Sequence, residues 1–287
     1  MKAHTARPPL PVAIVSMTPS LDPQESLDRM CRIIEETKQA HPNTRFILFG
    51  ETILGWFYKK GETKQYHESI AETIPGTSSE FIAALARAND LYISYGLSER
   101  DNDKLYNTQV VISPRGEVIA KHRKFRIRNR AFTAGAQRLT IVDVDGFRMA
   151  MIICADARSY WLRRQIRGEK VDIVLASLAD YATSSRLNQL LGTFYDAWNL
   201  VANRYGEEPP ILWHGLITIT DPWARLHAAS VGKEAVLVKK IPGSSATGLS
   251  RWLRRRLVGL KLILLVFALA GESMVRAIRK RRERAER

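Results

Sequence analysis

The chain has 287 residues, 45% hydrophobic and 25% charged, enough to bury a sizeable core in one large domain or two small ones. Only two cysteines, Cys31 and Cys154, and no CxxC pair argue against a disulfide framework or a zinc-finger site and fit a reducing compartment. The net charge of +15 is uneven: residues 251–287 hold twelve Lys or Arg against three acids, a composition that favours an anionic surface.

The apolar stretch Pro9–Val15 is short, contains prolines and lacks a small-residue cleavage site, so no secretory signal is expected there. Pro11–Met17 reads as a short strand. Asp22 is the expected N-cap of a helix, with Pro23 at the first helical position and Glu25 three residues after the cap. Leu27, Met30, Cys31, Ile33 and Ile34 recur at helical spacing, which predicts Cys31 on a core-facing stripe with no catalytic role. Arg45–Gly50 is a second strand, ending at Glu51. A helix from Thr77 or Ser78 turns Phe81, Ile82, Leu85 and Ala86 inward.

Strands are then expected at Tyr92–Gly96, Thr108–Ser113, Val118–Arg123 and Leu139–Val144. Asp145-Gly146 is a hairpin turn signal before a strand over Phe147–Ile153. A helix near Tyr160–Ile166, a strand Asp172–Ala176 and a helix between about Arg186 and Asn199 follow. Strands near Leu200–Ala202, Leu212–Thr220, Leu226–Ser230 and Ala235–Val238 complete a catalytic domain over residues 1–242. Mixed hairpin and crossover connections with several covering helices indicate an α/β or α+β layered fold. Residues 243–250 read as a linker and 251–287 as a basic and apolar helical tail.

Cys154 ends the apolar run Met149–Ile153 and begins the polar turn Ala155-Asp156-Ala157-Arg158. On that segment alone it fits either a buried core cysteine or a nucleophile at the mouth of a strand. Two other strand ends carry charge. Glu51 follows Phe49-Gly50, and Lys124 follows the stretch from Gly116 to Arg123. A Glu, a Lys and a Cys brought together suit acyl transfer: a carboxylate takes the thiol proton, and an ammonium lowers the thiol pKa and holds the oxyanion. A Cys–His pair would need one of six histidines (4, 41, 67, 122, 214, 227) beside Cys154, and His122 and His214 lie on strand-like segments without a motif. Metal ligands at useful spacing and a glycine-rich phosphate loop are both missing from the sequence, so no metal or cofactor is expected.

Five segments taken in order resemble the carbon–nitrogen hydrolase (nitrilase) superfamily over roughly residues 11–242. They are Gly50-Glu51 with Gly55-Trp56; Asn107-Thr108, Gly116-Glu117-Val118 and Arg123-Lys124; Ile153-Cys154-Ala155-Asp156; Val201–Gly206; and Ile219-Thr220-Asp221-Pro222. The resemblance implies a four-layer αββα sandwich with Glu51, Lys124 and Cys154 as catalytic residues. It further implies that the backbone N–H of Ala155 joins Lys124 in holding the oxyanion. Three departures stand out. Gly50 replaces a proline, and Trp223-Ala224 replaces a glycine. The second glutamate common between the lysine and the following Phe-x-x-Gly is missing, since no acid occurs from Val118 through Val142. That stretch instead carries six Lys or Arg in the ten residues 121–130. Arg126 and Arg128 are candidates to select an anionic substrate, against a solvated surface or a subunit interface.

In the tail, Leu257–Gly271 is fifteen residues interrupted by Lys261, short of the ~20 that span a bilayer. With basic residues on both sides it reads as a helix in the cytoplasmic leaflet, Trp252 at the interface and Arg254, Arg255 and Arg256 on acidic head groups. A helix packed on protein is the alternative, and an apolar segment from Leu262 to Gly271 argues against nucleic acid. The expectation is an amidase working through a Cys154 thioester on a small-molecule or lipid amide. The protein is expected to be a homo-oligomer, cytoplasmic and peripheral on the inner face of the membrane. An N-acyltransferase and a non-catalytic scaffold remain the alternatives.

Overall fold

The computed structural model describes residues 7–243. Residues 244–250 of the linker, and the tail with Trp252, Arg254, Arg255 and Arg256, lie outside the described residues. In chain order the described elements begin β1 (Leu10–Met17), α1 (Pro23–Ala40), β2 (Phe46–Leu48), α2 (Thr63–Ile70), α3 (Thr77–Asn89), β3 (Tyr92–Asp101), β4 (Lys104–Ile112) and β5 (Val118–Arg123). They continue with β6 (Thr140–Val144), β7 (Phe147–Ile153), a 3₁₀ turn (Cys154–Arg158), α4 (Tyr160–Gly168), β8 (Ile173–Leu178), α5 (Arg186–Tyr195) and β9 (Trp198–Glu208). The last strands are β10 (Ile211–His214), β11 (Ile217–Thr220), β12 (Leu226–Ser230) and β13 (Ala235–Ile241).

Side-chain alternation along the strands builds the layers. On β1, Leu10, Val12 and Ile14 enter one cluster while Ala13, Val15 and Met17 enter another, as a strand buried on both faces requires. The first set meets Phe46 and Leu48 of β2, Met149 and Met151 of β7, Ile173 and Leu175 of β8, and Leu200 of β9. This is the layer between two sheets. The second set meets Leu27, Met30 and Ile34 of α1 and Ile82 and Ala86 of α3. On the other side, Ala150, Ile152, Val174 and Ala176 meet Leu162 and Ile166 of α4 and Tyr195 of α5. Helix, sheet, sheet and helix thus stack as the αββα sandwich that the resemblance implies.

The strands follow the order β5-β4-β3-β2-β1-β9-β8-β7-β6, with β13 on β1 and β10 and β11 on β9. The two halves join at a short parallel seam, where Ser16 pairs with Asn203 and Met17 with Arg204. The seam matters because the candidate residues lie on both sides of it.

Asp22 caps α1 by accepting the Gln24 N–H at 2.9 Å, as expected. Several expectations are corrected. Cys31 is half-exposed at the edge of the α1 stripe, its thiol 3.4 Å from Glu35, because Leu27, Met30 and Ile34 already fill the buried arc. The helix expected to reach Asn199 stops at Tyr195, where Asp196 (φ +57°) takes the left-handed conformation; Trp198 then opens an eleven-residue strand. The single strand expected over Leu212–Thr220 breaks into β10 and β11 at Gly215 (φ +63°). Tyr92–Gly96 and Thr108–Ser113 are the inner parts of one long hairpin turning at Asn102 (φ +54°).

Candidate active site

Strand direction collects the candidate residues at one end of the molecule. β2, β7 and β8 are parallel-paired strands, and Glu51, Cys154 and Ala179 follow their carboxyl ends, the position where open α/β sheets bind ligands. β5 is antiparallel to β4, which is antiparallel to β3, so Lys124 leaves β5 at the same end.

Glu51 is fully buried and accepts three hydrogen bonds. Its Oε1 takes Lys124 Nζ at 2.5 Å and Asn107 Nδ2 at 2.6 Å, and its Oε2 takes the Ala179 N–H at 2.9 Å. The Asn107 carbonyl also accepts the Lys124 N–H at 2.9 Å, so one strand residue places both the carboxylate and the lysine backbone. Burial pulls the Lys124 ammonium toward neutrality, but the acidic groups around it, Glu51 foremost, together outweigh burial and raise its pKa above the ordinary lysine value.

Cys154 opens the 3₁₀ turn with φ +41°, a left-handed conformation that costs a non-glycine residue about 1–3 kcal/mol. The bend brings its Sγ within 3.9 Å of the Ala179 carbonyl. One peptide unit apart, the Ala179 N–H holds Glu51, so Ala179 links thiol and carboxylate. The expectation of a lowered thiol pKa is reversed. Burial, then the Glu51 and Asp180 carboxylates, push the thiol up to about 12 against the opposing Lys124 ammonium and the Ala179 hydrogen bond. The resting group is therefore a neutral thiol, which must lose its proton when it reacts. The Ala155 N–H lies in the first turn of the 3₁₀ segment, where the helix itself supplies no acceptor.

Arg126 and Arg128 are exposed on the loop after Lys124. The Arg126 backbone N–H donates to Asp156 at 2.9 Å. The rest of the basic run is not uniformly free: Lys121 and Arg123 both pair with Glu99, a buried carboxylate, and Arg123 also pairs with Asp101.

Several residues around the site were given no role on sequence grounds. Asp156, fully buried, also accepts the Ile153 N–H at 3.4 Å and lies 3.1 Å from His122 Nε2, tying β5 to the Cys154 turn. His122 turns its other ring nitrogen to Thr140, so both nitrogens are occupied away from Cys154. Asn203 clamps the Asp180 peptide, accepting its N–H at 3.1 Å and donating to its carbonyl at 2.8 Å. Arg204 and Glu208 form a buried ion pair at 2.5 Å. The signal that could have found this pair is an opposite-charge pair four residues apart, hence on one face of a strand otherwise rich in apolar residues. Among the described residues no group of three or more His, Cys, Asp or Glu could hold a metal ion.

Comparison with known proteins places this geometry. Formamidases from Bacillus cereus (strain Q1) and Bacillus thuringiensis (strain Al Hakam) are each 27% identical over 194 residues, covering 66% of this chain and 56% of the relative. The chain thus matches little more than half the length of these relatives. An amidase from Nesterenkonia sp. superposes with a TM-score of 0.70 at 15% identity, covering 85% of this chain and 94% of that one. Saccharomyces cerevisiae Nit3, a member of branch 10 of the nitrilase superfamily, gives 0.75 at 19% identity, covering 88% and 94% of the two chains. These likenesses establish the fold. A family model described as carbon-nitrogen hydrolase matches residues 11–245, the span that carries every strand end of the site, and the chain belongs to that family.

Proposed function

We propose that the protein is an amidase that cleaves a non-peptide C–N bond through a thioester on Cys154. The observation that carries this reading is the Ala179 bridge: its carbonyl meets the thiol and its N–H meets Glu51, whose other oxygen holds Lys124. Glu51 takes the thiol proton as the sulfur attacks the amide carbon, and Lys124 with the Ala155 N–H receives the oxyanion. The proton on Glu51 then passes to the leaving nitrogen, releasing ammonia or an amine. Water, deprotonated by Glu51, attacks the thioester and frees the acid and the thiol. A thiol held as high as about 12 suits this order, because proton transfer accompanies attack and needs no resting thiolate. Support comes also from the Nesterenkonia amidase, one variant of which carries the acetamide moiety of fluoroacetamide covalently at its active-site cysteine.

Intact mass and ammonia release across a panel of small aliphatic amides test the reading. An acyl adduct and turnover, both lost in Cys154→Ala, are expected; neither appearing across the panel would leave a non-catalytic scaffold. Added amine acceptors distinguish the transferase, which would form new amides at the expense of free acid.

Arg126 and Arg128, two and four residues beyond Lys124, are proposed to favour anionic substrates. Replacing both with Ser should raise KM for anionic amides alone, and an equal KM for all substrates would discard the role. The basic and apolar tail is proposed to hold the protein, as a homo-oligomer, on the cytoplasmic face of an acidic membrane. Protein truncated after Ser250 should then stop floating with acidic liposomes, whereas unchanged flotation removes the membrane claim.

A further inference from the structure

The two sheet halves bring different parts of the site, and something must keep them in register. Glu51, Asn107 and Lys124 belong to the half containing β2, β4 and β5; Cys154 and Ala179 belong to the half containing β7 and β8. The seam residues Asn203 and Arg204 sit between them. Asn203 clamps Asp180 on the nucleophile side. On the other side, Arg204 reaches the turn that follows Glu51, donating from Nη1 to Thr52 Oγ1 at 3.2 Å and from Nη2 to the Gly55 carbonyl at 2.5 Å. Thr52 itself is held at φ +44°, a conformation that needs such outside support.

Glu208 completes the arrangement. Its Oε1 pairs with Arg204, and its Oε2 accepts the N–H groups of Phe57 at 2.8 Å and Tyr58 at 3.1 Å. The Phe57 ring it fixes lies 5.8 Å from Lys124 Nζ. The guanidinium is completely buried and the carboxylate nearly so, hence neither charge is tolerated without the other.

We propose that Arg204 and Glu208 are positioning residues for the catalytic site: the pair locks the Glu51 turn and the Phe57 wall to the seam, and it keeps the surroundings of the acid–base pair electrically neutral. This rests on the reading of Glu51, Lys124 and Cys154 as catalytic. Cys154 is faced by Glu51, Lys124 and Asp180, Lys124 also by Asp156, and Arg204 by Glu208, Glu51 and Tyr66. Removing the Glu208 charge leaves Arg204 as an unbalanced cation facing Glu51, which offsets part of the carboxylate charge that keeps the Cys154 thiol protonated and so favours the thiolate.

The test uses the full chain and iodoacetamide, with site-resolved mass spectrometry separating Cys154 from Cys31. At pH 8, Glu208→Gln should alkylate at Cys154 about tenfold faster than wild type, equal to a shift of about one pH unit. Glu208→Asp, which restores the charge, should return most of the way. A Cys154 rate unchanged in folded Glu208→Gln overturns the proposal. Should that variant not fold, Arg204→Lys decides, because it keeps the charge but not the fork that spans Thr52 and Gly55. Its kcat on the best amide should fall about a hundredfold, far more than the accompanying loss of folded protein accounts for, while KM stays close to wild type. A loss of kcat merely proportional to loss of folded protein overturns it. Alkylation needs no turnover, so the outcomes separate: turnover lost in Cys154→Ala upholds the catalytic reading even if the Glu208 result is negative. Absent turnover in wild type removes the reading on which both stand.

Discussion

Glu51→Gln is nearly isosteric, yet the structure leaves it no good orientation. Both carboxylate oxygens act only as acceptors, one for Lys124 and Asn107 and the other for the Ala179 N–H. A glutamine has one acceptor oxygen, so its NH₂ must face either the Ala179 N–H or the Lys124 and Asn107 donors. Removing one partner of a buried ion pair costs about 3–5 kcal/mol. At about 2–4 °C per kcal/mol for a domain of this size, the melting temperature should fall by about 6–20 °C. The pH dependence carries the sharper test. In the wild type the Lys124 pKa lies above its unfolded value of 10.5, so its contribution is complete below that pH and is lost only as pH rises through the raised pKa. Without Glu51 burial dominates, and the lysine pKa drops below its unfolded value. The unfolded chain then binds more protons, and the variant gains stability as pH rises toward the ordinary lysine range. Thermal melts followed by circular dichroism from pH 6 to 9.5 should show the gap between variant and wild type narrowing. A gap under about 2 °C, or one constant with pH, would refute the assignment of Glu51 as the counter-ion that keeps Lys124 charged.

Asn107→Leu keeps most of the volume but removes the 2.6 Å bond to Glu51, a charge-assisted interaction of about 1.5–3 kcal/mol. If that bond serves the reaction, kcat/KM should fall about ten- to a hundredfold, and steady-state kinetics showing less than a twofold change would exclude it. A Cβ added at Gly96 would collide with the Thr52 backbone nitrogen and meet the Gly50 carbonyl at 2.8 Å, both backbone atoms that cannot swing away. Gly96→Ala should therefore cost about 1–3 kcal/mol in urea denaturation and impair turnover by displacing the Glu51 turn. By contrast Gly168→Ala, with open space at its Cβ, should be neutral or slightly stabilising in the same assay. Asp156→Asn retains one acceptor where the carboxylate serves the backbone N–H groups of Arg126 and Ile153 beside His122. A loss of about 1–3 kcal/mol is expected, and equal stability of the variant would show that the Cys154 turn does not depend on this brace.

The strands are legible because burial on one or both faces writes itself into the residue pattern. Phe147–Ile153 is found from its apolar run and the Asp145-Gly146 turn, with the boundaries the structure gives it. Boundaries set by tertiary contact are not legible. Asn199, expected at the end of a helix, pairs with Val174 of β8 and Thr220 of β11, and that sheet pairing overrides the local preference. Cys31 fits the helical period but misses the buried arc by one position, since the period does not say how wide the contact is. The thiol of Cys154 is a similar case: a nearby lysine argues for a lowered pKa, but only the structure shows burial and two carboxylates outweighing it.

Sequence alone determined that Glu51, Lys124 and Cys154 stand at strand ends in the order of one family, because an apolar strand followed by a single reactive residue is a local pattern. Tertiary structure decided what surrounds them. Asn107 opposite Lys124, Ala179 between thiol and carboxylate, and the Arg204–Glu208 pair at the seam all come from strands far apart in the chain. Their partners are chosen by sheet order and register, which depend on how whole faces bury against one another and not on the residues nearest in sequence.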